Sequence, residues 1–158
     1  MSLTLPQLER FTAGLAASPE RWRHLVHHAD GMRVYEQIWD DEEVNAWVIC
    51  WSEDQDTGFH DHDASGAAVT VVAGRVREDR LTLRARPRSR EMGAGKTFTV
   101  PPVAIHRVLH AGTGPAITIH AYSPPLCRTG AYRIGTDGEL EREALDYEAE
   151  LRAEPALA

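Results

Sequence analysis

From Gly31 onward the chain is a succession of short β-rich runs with no helical pattern between them. Runs of β-branched and aromatic residues occupy 33–39, 44–51, 67–72, 75–83, 96–100, 105–109, 116–122 and 131–134. Turn-forming clusters separate them: Asp40-Asp41-Glu42-Glu43, Gly74, Pro87, Gly93-Ala94-Gly95 and Gly112-Thr113-Gly114-Pro115. Short strands with frequent turns and no crossover helices bury their apolar sides only by facing one another, as a sandwich or a closed barrel. The expected fold is therefore mainly β, a small antiparallel jelly-roll-like barrel.

Ahead of the strands, Leu5, Leu8, Phe11 and Leu15 recur at helical spacing over 4–16, with Thr4 before Pro6 as the start. Ser18-Pro19-Glu20 supplies an N-cap residue, a first-turn proline and a first-turn acid, which predicts a second helix over 18–28. His24, His27 and His28 fall toward its C-terminal end, where solvated cations are favourable. Behind the strands, 139–154 is acidic and carries no decisive pattern. The expected organisation is one domain over 1–158: a helical cap over 1–30, a barrel over 31–135 and an acidic tail over 136–158.

At 158 residues the chain is long enough for one domain with a real core. A net charge of −7 argues against nucleic-acid partners, which select a basic footprint. No apolar run approaches the roughly 20 residues of a membrane span. The opening Met-Ser-Leu-Thr-Leu-Pro has no basic n-region leading into an apolar core. Two cysteines, Cys50 and Cys127, make no disulfide framework, so a reducing cytoplasm is expected. The compositional oddity is eight histidines.

Two of them stand in Gly58-Phe59-His60-Asp61-His62. On a strand, residues i and i+2 project to the same side, so His60 and His62 can reach one first-row metal ion. His106 opens a later strand after Pro101-Pro102 and can supply a third ligand. His110 continues on the same face as His106 and is expected at the barrel's core or rim. Thr118, His120 and Tyr122 alternate onto one face of their strand, so a hydroxyl–imidazole–phenol relay needs no special geometry there. Trp39, Trp47 and Trp51 share parity in their runs and are expected in the core, as is Cys50. Cys127 stands beside Arg128 in a loop, where a neighbouring cation lowers a thiol's pKa.

The spacing around these histidines is similar to the two motifs of the cupin superfamily, in which His-x-His, a downstream Glu and a final His bind metal. The chemistry departs: Ala67 stands in the Glu position, Val103 replaces the second motif's middle Gly, and His110 its closing Asn. Within that superfamily the chain resembles the cysteine dioxygenase family of thiol dioxygenases, roughly from Val44 to Pro125. The resemblance rests on Cys50-Trp51, His60-Asp61-His62, His106-Arg107-Val108 and His120-Ala121-Tyr122-Ser123-Pro124-Pro125, together with Thr118 in a Ser-x-His-x-Tyr array. It implies Fe(II) on His60, His62 and His106, with Thr118, His120 and Tyr122 as the catalytic array. The reaction implied is addition of O₂ to a small-molecule thiol to give a sulfinic acid, with L-cysteine the leading substrate. The family is often monomeric, which makes a monomer the expectation.

Two departures bear on that substrate. A cysteine that mammalian members cross-link to the pocket tyrosine is Ala67 here, so Tyr122 stays an unmodified phenol. The arginine that binds the cysteine carboxylate, in a Tyr-x-Arg-like context, is matched by Tyr35-Glu36-Gln37, which puts Gln37 in the arginine slot. One amide does not replace a charged bidentate fork. Glutamine there resembles the mercaptopropionate-type relatives, and Arg33, Arg128 or Arg133 can substitute. Glu53, Asp54, Asp56, Asp61 and Asp63 crowd the approach and would suit a cationic thiol such as ergothioneine. Asp61 and Asp63 are also candidates to hold the outer nitrogens of the ligands. A non-thiol cupin dioxygenase or isomerase and a ligand-sensing barrel are the competing classes.

Overall fold

A computed structural model describes residues 1–29, 31–83 and 86–146. One α-helix, α1 (Leu5–Ala16), precedes eleven strands. These are β1 (Val34–Asp40), β2 (Asn45–Trp51), β3 (His60–Asp61), β4 (Gly66–Ala73), β5 (Arg75–Arg80), β6 (Arg88–Gly93), β7 (Thr97–Val100), β8 (His106–His110), β9 (Ala116–Ser123), β10 (Arg128–Ile134) and β11 (Leu140–Asp146). They form two antiparallel sheets with orders β1-β2-β9-β4-β7 and β11-β10-β3-β8-β5-β6. The core between the sheets takes Trp47, Ile49, Trp51, Val69 and Val71 from the first and Val76, Met92 and Val108 from the second. The jelly-roll-like architecture expected from the strand pattern is present. No helix among the described residues is long and apolar enough to cross a membrane.

The first sheet is covered on both faces, which explains why β2 is buried at every position and apolar from Ala46 onward. On its outer face α1 buries Leu8, Thr12 and Leu15, and Leu8 meets Val48, Ala68, Ile119 and Ala121 in a second apolar cluster. The helix begins at Thr4, whose backbone N–H donates to the Gln7 side chain at 2.9 Å. Burial of this kind is worth about 2–5 kcal/mol for one leucine truncated to alanine.

The second helix predicted over 18–28 does not form. Only two single 3-10 turns, Pro19–Arg21 and Arg23–Leu25, occupy the stretch. Trp22 interrupts them with φ −137°, because its indole is buried and donates Nε1–H to the carbonyl of Leu15 at 3.0 Å. His24, His27 and His28 are solvent-exposed, as expected.

Two strands escape the sequence pattern. In β6, Arg-Ser-Arg-Glu-Met-Gly offers one buried apolar residue, Met92, and the strand exists through its pairing with β5. In β11, helix-forming residues in the expected acidic tail pair instead with β10 as an exposed edge strand. The rest of that tail, 147–158, lies outside the described residues.

A bulge between Gln37 and Trp39 also breaks the expected tryptophan parity. Trp47 and Trp51 lie between the sheets, whereas Trp39 turns to the helix side and packs edge-on against Phe11 at 5.4 Å. Cys50 is buried, Cys127 is exposed, and the two are not paired.

Candidate metal centre

The three histidines singled out by spacing come together between the sheets. β3 is only two residues long, paired through His60 to His106 of β8 and through His60 and Asp61 to β10. Alternation persists one residue past the strand, so His60 and His62 still face the same side. The Nε2 of His62 lies 3.1 Å from that of His60 and 3.3 Å from that of His106. All three rings are buried, with exposures of 5%, 2% and 1% for His60, His62 and His106. No other group of three His, Cys, Asp or Glu side chains among the described residues offers converging ligand atoms of this kind.

Neutral imidazoles are the form that binds a metal. Burial, then the neighbouring His106, His60 and His120, hold His62 well below the usual histidine range. Burial, then His60, Arg80, His120 and Arg90, do the same for His106. Three buried ring nitrogens within 4.8 Å of one another fit a first-row divalent ion and leave coordination positions for small ligands.

Each ligand's outer nitrogen has its own surroundings. His60 Nδ1 is 3.0 Å from the carbonyl of Gly58, and His106 Nδ1 is 3.1 Å from Oε1 of Glu78. His62 Nδ1 is buried with no hydrogen-bond partner. Asp61 and Asp63, expected as outer partners, do not play that part. Asp61 points away from the ligands and accepts from Arg142 Nε at 2.8 Å, Arg142 Nη2 at 2.9 Å and Tyr132 Oη at 2.6 Å. Burial pushes its carboxyl up, but Arg142 and Tyr132 outweigh it and hold the group far below the usual carboxylate range.

Beside the histidines runs the hydroxyl–imidazole–phenol array. Trp51 Nε1–H donates to Thr118 Oγ1 at 2.8 Å, Thr118 Oγ1 is 2.9 Å from His120 Nε2, and His120 Nδ1 is 3.4 Å from Tyr122 Oη. The Tyr122 ring sits 5.0 Å from that of His62, at 74° to it. An indole only donates, so Thr118 Oγ1 accepts from Trp51 and keeps its own proton available to His120 Nε2. With Thr118 donating to Nε2, His120 carries its proton on Nδ1, facing the phenol. Burial, then His60 and Arg33, lower the His120 pKa to about 3, so the ring is neutral.

Among the described residues, the pocket above these groups is walled by Ile49, Val69, Val108 and Leu126, with Thr57 and Thr129. Apart from its histidines, Arg33 is the one charged residue in that wall. Its guanidinium donates to the carbonyl of Asp56 and lies 5.6 Å above the Trp51 ring. Gln37, by contrast, is exposed and outside the wall, opposite Trp47 in the β1–β2 register. Tyr35 pairs with Ile49 and packs half-buried against the inter-sheet core. Arg128 is exposed, and Arg133 is engaged with Glu141 at 2.9 Å.

No carboxylate among the described residues lines the pocket. Asp56 binds Arg107 at 3.3 Å and Glu53 accepts from Gly114 N at 3.0 Å. His110 is half-buried at the β8–β9 turn, its Nε2 2.7 Å from the Gly114 carbonyl. Sequence reasoning did not single out Glu78 or Thr129, which strand pairing brings to the site, or Leu126, whose backbone both side-chain atoms of Asn45 hold in the loop before β10.

Comparison with known proteins agrees with this geometry. A family model for cysteine dioxygenase type I matches residues 7–134. Cysteine dioxygenase type 1 of Danio rerio is 24% identical over 148 residues, covering 85% of this chain and 73% of that protein. The Homo sapiens protein of the same description is 30% identical over 105 residues, 58% of this chain and 51% of its own length, so the chain spans about half of it. Among solved structures, a Klebsiella pneumoniae protein with a double-stranded β-helix domain aligns with a TM-score of 0.57 and 17% identity, over 65% of this chain and 80% of that one. A cupin superfamily protein from Desulfitobacterium hafniense gives a TM-score of 0.54 at 10% identity, over 65% and 87%. These two show the shared fold. The family match covers most of the 158 residues, fold and histidine cluster agree with it, and the chain belongs to the cysteine dioxygenase type I family.

Proposed function

We propose that this protein is an Fe(II)-dependent thiol dioxygenase, converting R–S⁻ and O₂ to R–SO₂⁻. The sulfur is oxidised by four electrons and both oxygen atoms are retained. The observation that carries this reading is the convergence of three buried imidazoles directly beside a buried phenol. Fe(II) on His60, His62 and His106 would supply the point at which thiolate and O₂ meet, and would keep the thiol deprotonated.

The chain's own residues then have separate tasks. Tyr122, accepting from His120 Nδ1–H, presents its phenol proton to the reacting atoms. Trp51 and Thr118 fix the direction of that relay by leaving His120 one tautomer. Ile49, Val69, Val108 and Leu126 exclude water, which strengthens each of these polar contacts. Arg33 binds a substrate carboxylate, the part that the family resemblance assigned to position 37.

L-cysteine is the leading substrate. The second reading is 3-mercaptopropionate, favoured by a wall whose described residues offer a cation and no carboxylate to receive an ammonium. The same wall gives a betaine thiol no anionic partner. The test is turnover of the Fe(II)-loaded protein under ¹⁸O₂. A sulfinate carrying two labelled atoms is expected from a thiol acid, and a disulfide as sole product would refute the reading.

A further inference from the structure

Three imidazoles bring no negative charge to a divalent ion. Among the described residues, one carboxylate contacts their outer nitrogens: Glu78 on β5, 1% exposed, whose Oε1 is 3.1 Å from Nδ1 of His106. Glu78 faces inward because its register partner on β8 is Val108, itself part of the inter-sheet core. Both carboxylate oxygens are held by cations. Oε1 accepts from Arg80 Nη2 at 2.6 Å, and Oε2 accepts from Arg90 Nε at 2.6 Å. The arginines are anchored in turn, Arg80 on the Thr99 carbonyl at 2.9 Å and Arg90 over the Phe98 ring at 5.0 Å.

The chemistry of this cluster has one direction. An ionised carboxylate offers only acceptors, so His106 must donate from Nδ1 and keep its lone pair on Nε2, toward His60 and His62. Of the three ligands, His106 has an anion behind it, His60 a neutral carbonyl, and His62 no outer partner. A carboxylate acceptor at Nδ1 makes His106 a more electron-donating ring than a carbonyl would, an effect that the paired Arg80 and Arg90 reduce without cancelling the hydrogen bond. Resting on the metal-centre reading above, we infer that Glu78 is the anionic positioning residue of that centre: it fixes His106 as an Nε2 ligand and strengthens the grip on a divalent metal, while Arg80 and Arg90 keep its carboxylate in place.

The test is a Co(II) titration of the metal-free protein, followed by visible absorption, with the unmutated chain beside Glu78→Gln, Arg90→Met and the double variant. Glu78→Gln keeps size and an acceptor atom but removes the charge. Co(II) affinity should fall about 10- to 100-fold and the absorption bands should move. Arg90→Met leaves the Glu78–His106 contact and should bind within about threefold of the unmutated chain, a limit well below one tenfold step. The double variant removes one charge of each sign, so it still folds if the single change unbalances the cluster, and it should show the same weakened binding as Glu78→Gln. Unchanged affinity and bands in Glu78→Gln or the double variant would overturn the role of Glu78. Absence of Co(II) binding by the unmutated chain would overturn the metal-centre reading beneath it.

Discussion

The relay makes a quantitative demand on acid stability. His120 is held at a pKa of about 3 against an ordinary 6.5, by burial first and then by His60 and Arg33. Between those values the unfolded chain binds a proton that the folded chain refuses, so the His120 contribution is complete above pH 6.5 and is lost as pH falls toward 3. At about 1.4 kcal/mol per pH unit, acidification from pH 7.5 to pH 5 removes about 2 kcal/mol through this one group. His62 and His106 are depressed in the same direction and add to the wild-type loss. Comparison with His120→Gln isolates the His120 share. Urea unfolding of the metal-free proteins at both pH values should show the variant losing about 2 kcal/mol less than wild type over that interval. Equal losses in the two proteins would refute the claim that His120 is buried neutral.

Three further outcomes follow from named contacts. Tyr122→Phe removes the hydroxyl 3.4 Å from His120 and should lower kcat by about 10²-fold or more, with Co(II) affinity unchanged. Arg33→Gln should lower kcat/KM for thiols bearing a carboxylate by about 10- to 100-fold, the equivalent of a charged hydrogen bond of about 1.5–3 kcal/mol, and leave cysteamine unaffected. Gly130→Ala would set a Cβ against the Arg142 guanidinium and push that flexible side chain off Asp61. It and Arg142→Met should each cost about 1–3 kcal/mol in thermal unfolding, and the double variant no more than either.

What could be read in advance was whatever period-2 alternation controls. His60 and His62 on one face, and Thr118, His120 and Tyr122 on another, follow from the pleat alone, and each set is assembled as that rule dictates. The β-rich runs gave the sheets for the same reason. Misreadings began where a partner distant in sequence decides. The strand expected over 75–83 forms, but nothing in its pattern shows that Glu78 and Asp79 are buried, which they are because arginines from β5, β6 and β8 surround them.

β11 has helix-forming residues and becomes a strand through its register with β10 and the reach of Arg142 to Asp61. Trp22 breaks a helix whose capping residues are sound, for the sake of one buried indole. At position 37, the sequence located a substitution but not its consequence. The pocket cation sits four residues earlier, on Arg33, with Gln37 left exposed beside a bulge.

The central claim is tested most directly by oxygen consumption of the Fe(II)-loaded protein with L-cysteine, 3-mercaptopropionate, ergothioneine and cysteamine in turn. Uptake that depends on a carboxylate-bearing thiol, consumes one O₂ per thiol and vanishes in His62→Ala is the expected result. No thiol-dependent uptake by a chain shown to retain its iron would contradict it.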